Sequence, residues 1–159
     1  MASISERENR EIEAANASGN TPVVFIHGIW LLPSSWDRWG QFFREAGYAP
    51  LTPDWPDDPE TVEEARANPD VFAKKTLKQV ADHTTEIINA LDQKPAVMGH
   101  STGGLLAQML AGRGLSAATV AIDPGSLPRR SASTGPHAQV CGPVLGQPAH
   151  ARPRDHAQF

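Results

Sequence analysis

Cysteine is nearly absent from this chain: Cys141 is the one thiol in 159 residues. A single cysteine closes no internal disulfide, so the fold has to rest on packing. Positive charge is scarce as well. Fourteen Lys and Arg against 18 Asp and Glu leave a net charge of −4, which excludes bulk electrostatic recruitment to nucleic acid or to an anionic membrane. No apolar run approaches the roughly 18 residues that a membrane-crossing helix needs. Met1–Asn20 lacks the basic-then-apolar order of a secretion signal. Together these absences predict a cytoplasmic protein that neither spans a membrane nor binds nucleic acid.

Apolar residues make up 40% of the chain and charged residues 20%, the composition of a globular domain with room for a core. The charge is unevenly placed. Residues 1–124 carry 10 Lys and Arg against 17 Asp and Glu, whereas 125–159 carry four Arg against one acid, Asp155. That last stretch also holds 5 of the 14 prolines, and its bulky apolar residues are Leu127, Val140, Val144, Leu145 and Phe159. The pattern divides the chain into an exposed polar leader at 1–20, a core at 21–124 and an irregular tail at 125–159. The tail reads as disordered or aberrant, the product of a truncated or frameshifted gene.

Within the core, apolar runs alternate with helical patterns. Thr21–Ile26 is rich in β-branched and aromatic residues and suits a strand buried on both faces. Ser34 or Ser35 can cap a helix to about Ala46, with Trp36, Trp39, Phe42 and Phe43 as its core face and Gly47 as its stop. Tyr48–Thr52 is a second strand, followed by the turn-rich Asp54-Trp-Pro-Asp-Asp-Pro59. Pro59 suits the first position of a helix to about Ala67, and a longer helix spans Thr76–Leu91. Pro95–Met98 is a third strand, Gly99–Gly104 a turn, Leu105–Ala111 a helix stopped near Gly112 or Gly114, and Ala118–Ile122 a fourth strand. This alternation predicts an α/β fold: four parallel strands with helices on both faces and right-handed crossovers.

Chemistry is concentrated in Gly99-His100-Ser101-Thr102-Gly103. Gly-x-Ser-x-Gly is a weak signal alone; its place between a predicted strand and a predicted helix makes it informative. So sharp a turn forces the serine into an unfavourable backbone conformation, tolerated when Gly99 and Gly103 keep neighbouring side chains away and Gly104 lets the helix approach the sheet. The turn lifts the Ser101 hydroxyl above the sheet edge, at a helix N-terminus whose dipole favours negative charge. Acyl transfer also needs two N–H groups aimed at the developing oxyanion. Thr102 can supply one and Ile29 of His27-Gly28-Ile29-Trp30 the other, with Gly28 permitting a tight turn and Trp30 in the pocket wall.

Val24-Phe-Ile-His-Gly-Ile-Trp30, Asp54-Trp-Pro56 and Gly99-His-Ser-Thr-Gly-Gly104 together resemble the α/β-hydrolase superfamily, in its esterase- and lipase-like branch. The resemblance covers about residues 21–124. It implies that Ser101 is the nucleophile of a serine hydrolase, that the Ile29 and Thr102 amides form the oxyanion hole, that no cofactor or metal is needed, and that the substrate is a small-molecule ester. The chain departs from the family after Asp123. There the acid and then the histidine should follow on later strands, and no such strands are legible.

Each remaining candidate has a plainer reading. His27 and His100 read as packing or turn residues of their motifs. His137, His150 and His156 are the downstream histidines, on a stretch too irregular to hold a base. Asp123 reads as a turn in preference to an acid. Asp54, Asp57 and Asp58 read as a solvated turn without a metal, Lys74, Lys75 and Lys78 as an exposed patch, and Cys141 as no nucleophile. Three rivals stand beside the esterase reading: an inactive fragment or pseudoenzyme, a non-hydrolytic relative (haloperoxidase-like, lyase or acyltransferase), and a binding module. The bare fourth strand predicts poor solubility.

Overall fold

The computed structural model of the chain describes residues 3–59 and 61–126. Four strands, β1 (Pro22–Ile26), β2 (Ala49–Leu51), β3 (Ala96–His100) and β4 (Ala118–Ile122), alternate with helices α1 (Glu6–Ser18), α2 (Asp37–Glu45), α3 (Val62–Ala67), α4 (Leu77–Asn89) and α5 (Thr102–Gly112). The strands form one parallel sheet in the order β2-β1-β3-β4, as the alternation predicts. Ile26 pairs with Gly99 at the carboxyl end. From β1 the chain steps to one side of the sheet for β2 and then returns to the other side for β3. The crevice between the ends of β1 and β3 is therefore the topological switch point, where open α/β sheets place their ligands.

Alternate residues of a strand face opposite ways, and β1 divides accordingly. Val24 and Ile26 join Val97, Ile87 and Ile88 of α4, and Leu106 and Leu110 of α5 in the larger apolar cluster. Val23 and Phe25 face the other way and pack with Trp36 in a smaller one, edged by Phe43, Met98 and Ile122. The small cluster is thinly covered. Trp39 and Phe42, expected in the core, are 45% and 64% exposed, and Val120 of β4 is 45% exposed on the same sheet.

The N-terminal segment is not the exposed leader that its polarity suggests. α1 has a capping box between Ser5 and Glu8, and it buries Ile12 and Ala15 in the larger cluster. Glu8 is buried too, where its carboxylate accepts hydrogen bonds from the Ser5 N–H at 2.8 Å, the Asp54 N–H at 3.1 Å and His83 Nε2 at 2.9 Å. Arg7 donates to Asp54 at 2.7 Å and to the Thr52 carbonyl at 2.9 Å. Buried partners, which polarity statistics do not see, make this polar helix part of the domain.

Other boundaries move by a turn. Pro33–Trp36 forms a 3-10 turn before α2 begins, and α3 starts at Val62 with Thr61 as its cap instead of at Pro59. Gly47, at φ 85°, ends α2 as expected: its N–H reaches the Arg44 carbonyl while the Tyr48 N–H reaches that of Phe43, a Schellman stop. Among the described residues no helix is long and apolar enough to cross a membrane. The stretch read as an irregular tail lies outside the described residues from 127 onward, and with it His137, His150, His156 and Cys141.

Candidate active site

The switch-point crevice brings together the two motifs picked out in the sequence. β3 runs through Gly99 to His100, and α5 starts at Thr102, so Ser101 alone makes the turn between them. Its backbone stands at φ 55°, ψ −120°, a conformation that costs an L-residue about 1–3 kcal/mol and persists only where neighbours over-determine it. They do so here. The Ser101 N–H donates to the Ile122 carbonyl at 3.0 Å, and its own carbonyl accepts from Gly125 at 3.1 Å and Leu105 at 3.2 Å.

The glycines act by close approach. A Cβ on Gly103 would lie 2.1 Å from the Ile26 carbonyl oxygen, and one on Gly99 would lie 2.0 Å from that of Gly103. No real contact is so short, so α5 and β1 reach this separation only with bare backbone. Gly104 has more room, its nearest contacts being 3.1 Å from the Gly99 oxygen and from Pro124.

The loop after β1 differs from its sequence reading in a useful way. Gly28 was expected to make the turn, but the residue with positive φ is Trp30, at 67°. The Leu31 N–H closes the turn on the Gly28 carbonyl at 3.2 Å, which makes Trp30 the third residue of a type II turn, the position that glycine usually takes. Gly28 serves close approach instead, since a Cβ there would stand 3.2 Å from the Ser101 Cβ and 3.3 Å from the His100 oxygen. Trp30 is 64% exposed and packs on Phe72, with ring centroids 5.6 Å apart. A pocket of about 240 Å3 beside the elbow is lined by Leu31, Ser35, Trp36, Trp39 and Ile122 together with His27 and His100; Trp30 is not among them.

Two backbone donors stand at the crevice. Thr102 is the first residue of α5, where N–H groups lack intrahelical acceptors. Among the described residues the Ile29 N–H has no acceptor either. The Ser101 hydroxyl likewise has no hydrogen-bond partner among them. His27 is not available to it as a base. Its ring is 1% exposed and stacked on Trp55, with Nδ1 2.9 Å from the Gly28 carbonyl and Nε2 3.4 Å from Asp58 Oδ2. The His100 imidazole lines the pocket and makes no hydrogen bond among the described residues. Asp123 turns the chain after β4 at φ 42° and is exposed.

The acidic turn after β2 is where the sequence reading fails most. Pro56 and Asp57, the latter at φ 60°, make a turn closed by the Asp58 N–H on the Trp55 carbonyl at 2.9 Å. Asp58 is not solvated: its side chain is 1% exposed and paired with Lys75, itself 7% exposed. Lys75 thus leaves the exposed patch assigned to Lys74, Lys75 and Lys78. Seventeen residues separate the pair, and nothing periodic in the sequence marks the contact. Asp54 is partly buried against Arg7. Among the described residues no three His, Cys, Asp or Glu side chains gather as a metal would require.

No curated protein matches the chain. A solved structure, an extracellular alpha/beta-hydrolase from a Paenibacillus species described as sharing structural and functional homology with Tobacco Salicylic Acid Binding Protein 2, is 22% identical with a TM-score of 0.46. The match covers 58% of this chain, which spans about a third (35%) of the length of that structure. The model of the alpha/beta hydrolase family matches residues 23–158, and with its parallel sheet and its serine elbow at the switch point the chain belongs to that family.

Proposed function

We propose that the chain is a serine hydrolase that acts on small carboxylic esters with Ser101 as its nucleophile. The observation that carries this reading is Ser101 itself. A serine held at φ 55° on a one-residue turn, against a bare Gly28 and at the switch point, stores strain that a plain turn would not need. In this reading Ser101 Oγ attacks the acyl carbon while its proton passes to a base. The oxyanion is held by the Ile29 and Thr102 N–H groups, the alcohol leaves, and water hydrolyses the acyl-enzyme. The pocket of about 240 Å3 beside Trp36 and Trp39 suits an acyl group of modest size.

One observation favours a second reading, a site without turnover: among the described residues no side chain is placed to take the Ser101 proton. A fluorophosphonate probe separates the two. The serine oxygen displaces fluoride from phosphorus only if the hydroxyl is activated. Stoichiometric labelling of Ser101, lost in Ser101→Ala, supports the hydrolase reading. An unlabelled but cooperatively melting protein overturns it and leaves the inactive fold.

A further inference from the structure

The Gly28–Leu31 turn is gripped from both sides by residues that neither motif contains. On the inner side, the Asp58 carboxylate is packed between His27 and Lys75. Its Oδ1 meets the Lys75 ammonium, its Oδ2 stands 3.4 Å from His27 Nε2 with no hydrogen bond between them, and the far nitrogen of the same imidazole, Nδ1, is 2.9 Å from the Gly28 carbonyl. On the outer side, the Lys75 ammonium lies 5.5 Å from the centre of the Phe72 ring, and Phe72 packs against Trp30. Lys75 is the node of both arms, and Phe72 and Lys75 come from one short segment ahead of α4.

Such a double grip answers a specific need. A tryptophan at φ 67° in the glycine position of a type II turn relaxes unless its surroundings hold it. The second residue of this turn is Ile29, whose N–H is left without an acceptor among the described residues. An ion pair buried to this degree is costly to form and gives little net stability by itself, so a geometric role accounts for it better than a stabilising one.

We infer that Asp58 and Lys75 are positioning residues, which act through His27 and Phe72 to hold the Ile29 amide of the proposed oxyanion hole. The inference rests on the proposed function for its consequence in catalysis and on geometry alone for the turn. Asp58→Asn, Lys75→Met and Lys75→Arg are to be compared with the double variant Asp58→Asn/Lys75→Met, which strands no charge and so keeps the test valid if a single variant fails to fold. The primary readout is amide hydrogen exchange at Leu31, the donor that closes the turn, against Met98 in β3 as an internal reference. The expected result is exchange about tenfold faster at Leu31 in the Asn, Met and double variants, unchanged at Met98, and restored in Lys75→Arg. The rate of fluorophosphonate labelling of Ser101 falls roughly tenfold in parallel.

Unchanged Leu31 exchange in the folded variants overturns the inference, and so does equal acceleration at Leu31 and Met98. If wild-type Ser101 takes no label, the nucleophile reading fails by itself, and Leu31 exchange still decides whether the pair holds the turn.

Discussion

Gly28 and Ser101 face each other so closely that a methyl group on the glycine would stand 3.2 Å from the serine Cβ. Two loops far apart in sequence are thereby pressed together at one point of the sheet edge, and each depends on the other's lack of bulk.

A graded glycine series follows from this packing. Gly28→Ala meets only contacts of 3.2 Å or longer, so it folds with a loss of about 1 kcal/mol while slowing Ser101 labelling. Gly103→Ala drives a methyl group to 2.1 Å from a backbone oxygen of β1, where no side chain can give way, and loses at least ~3 kcal/mol or fails to fold. Urea unfolding midpoints check the order; equal losses would contradict it.

Ser101→Gly should stabilise the fold. Glycine adopts φ 55° without the penalty that an L-residue bears there. The gain, net of glycine's greater unfolded-state freedom, is about 1 kcal/mol, read as a higher denaturation midpoint together with complete loss of probe labelling. A lower midpoint would show that the turn is not strained.

The Glu8–His83 pair sets a pH window. Burial alone would push the Glu8 carboxyl up. The hydrogen bonds from His83 and the Ser5 N–H outweigh burial and hold it down at about 2, from 4.5. Burial would likewise lower His83; its hydrogen bond to Glu8, with the fields of Glu86 and Asp54, raises it above 6.5. A depressed carboxyl gives stability that is complete above 4.5 and lost as pH falls toward 2, whereas a raised histidine gives stability that is complete below 6.5 and lost as pH rises through its folded value. Stability, read from denaturation midpoints between pH ~3 and ~9, should therefore peak between 4.5 and 6.5. Glu8→Gln should flatten the peak and cost on the order of 2 kcal/mol within it.

The thinly covered sheet face predicts association. Trp39, Phe42 and Val120 are each at least 45% exposed, and large apolar side chains left in water favour self-association. Light scattering should rise with concentration in the wild-type chain, and Phe42→Lys with Trp39→Glu should lower it without shifting the melting temperature by more than a few degrees. Scattering that does not change would sink this prediction.

Local pattern along the chain was enough for the parallel α/β order, the four strands to within a few residues, and the placement of Ser101 at a strand-to-helix turn. These are legible because they rest on local signals: apolar runs at 22–26, 96–98 and 118–122, a helix stop at Gly47, and glycines where backbone must touch backbone. Folding in three dimensions was needed to bury a polar helix through Glu8, to give Trp30 and not Gly28 the left-handed position, and to pair Asp58 with Lys75 out of solvent. Each of these depends on partners distant along the chain: Glu8 and His83 are 75 residues apart, Asp58 and Lys75 are 17. Whether a charge is solvated or paired is settled by the low dielectric of the space that it ends up in, a property of the folded surroundings that no local pattern encodes.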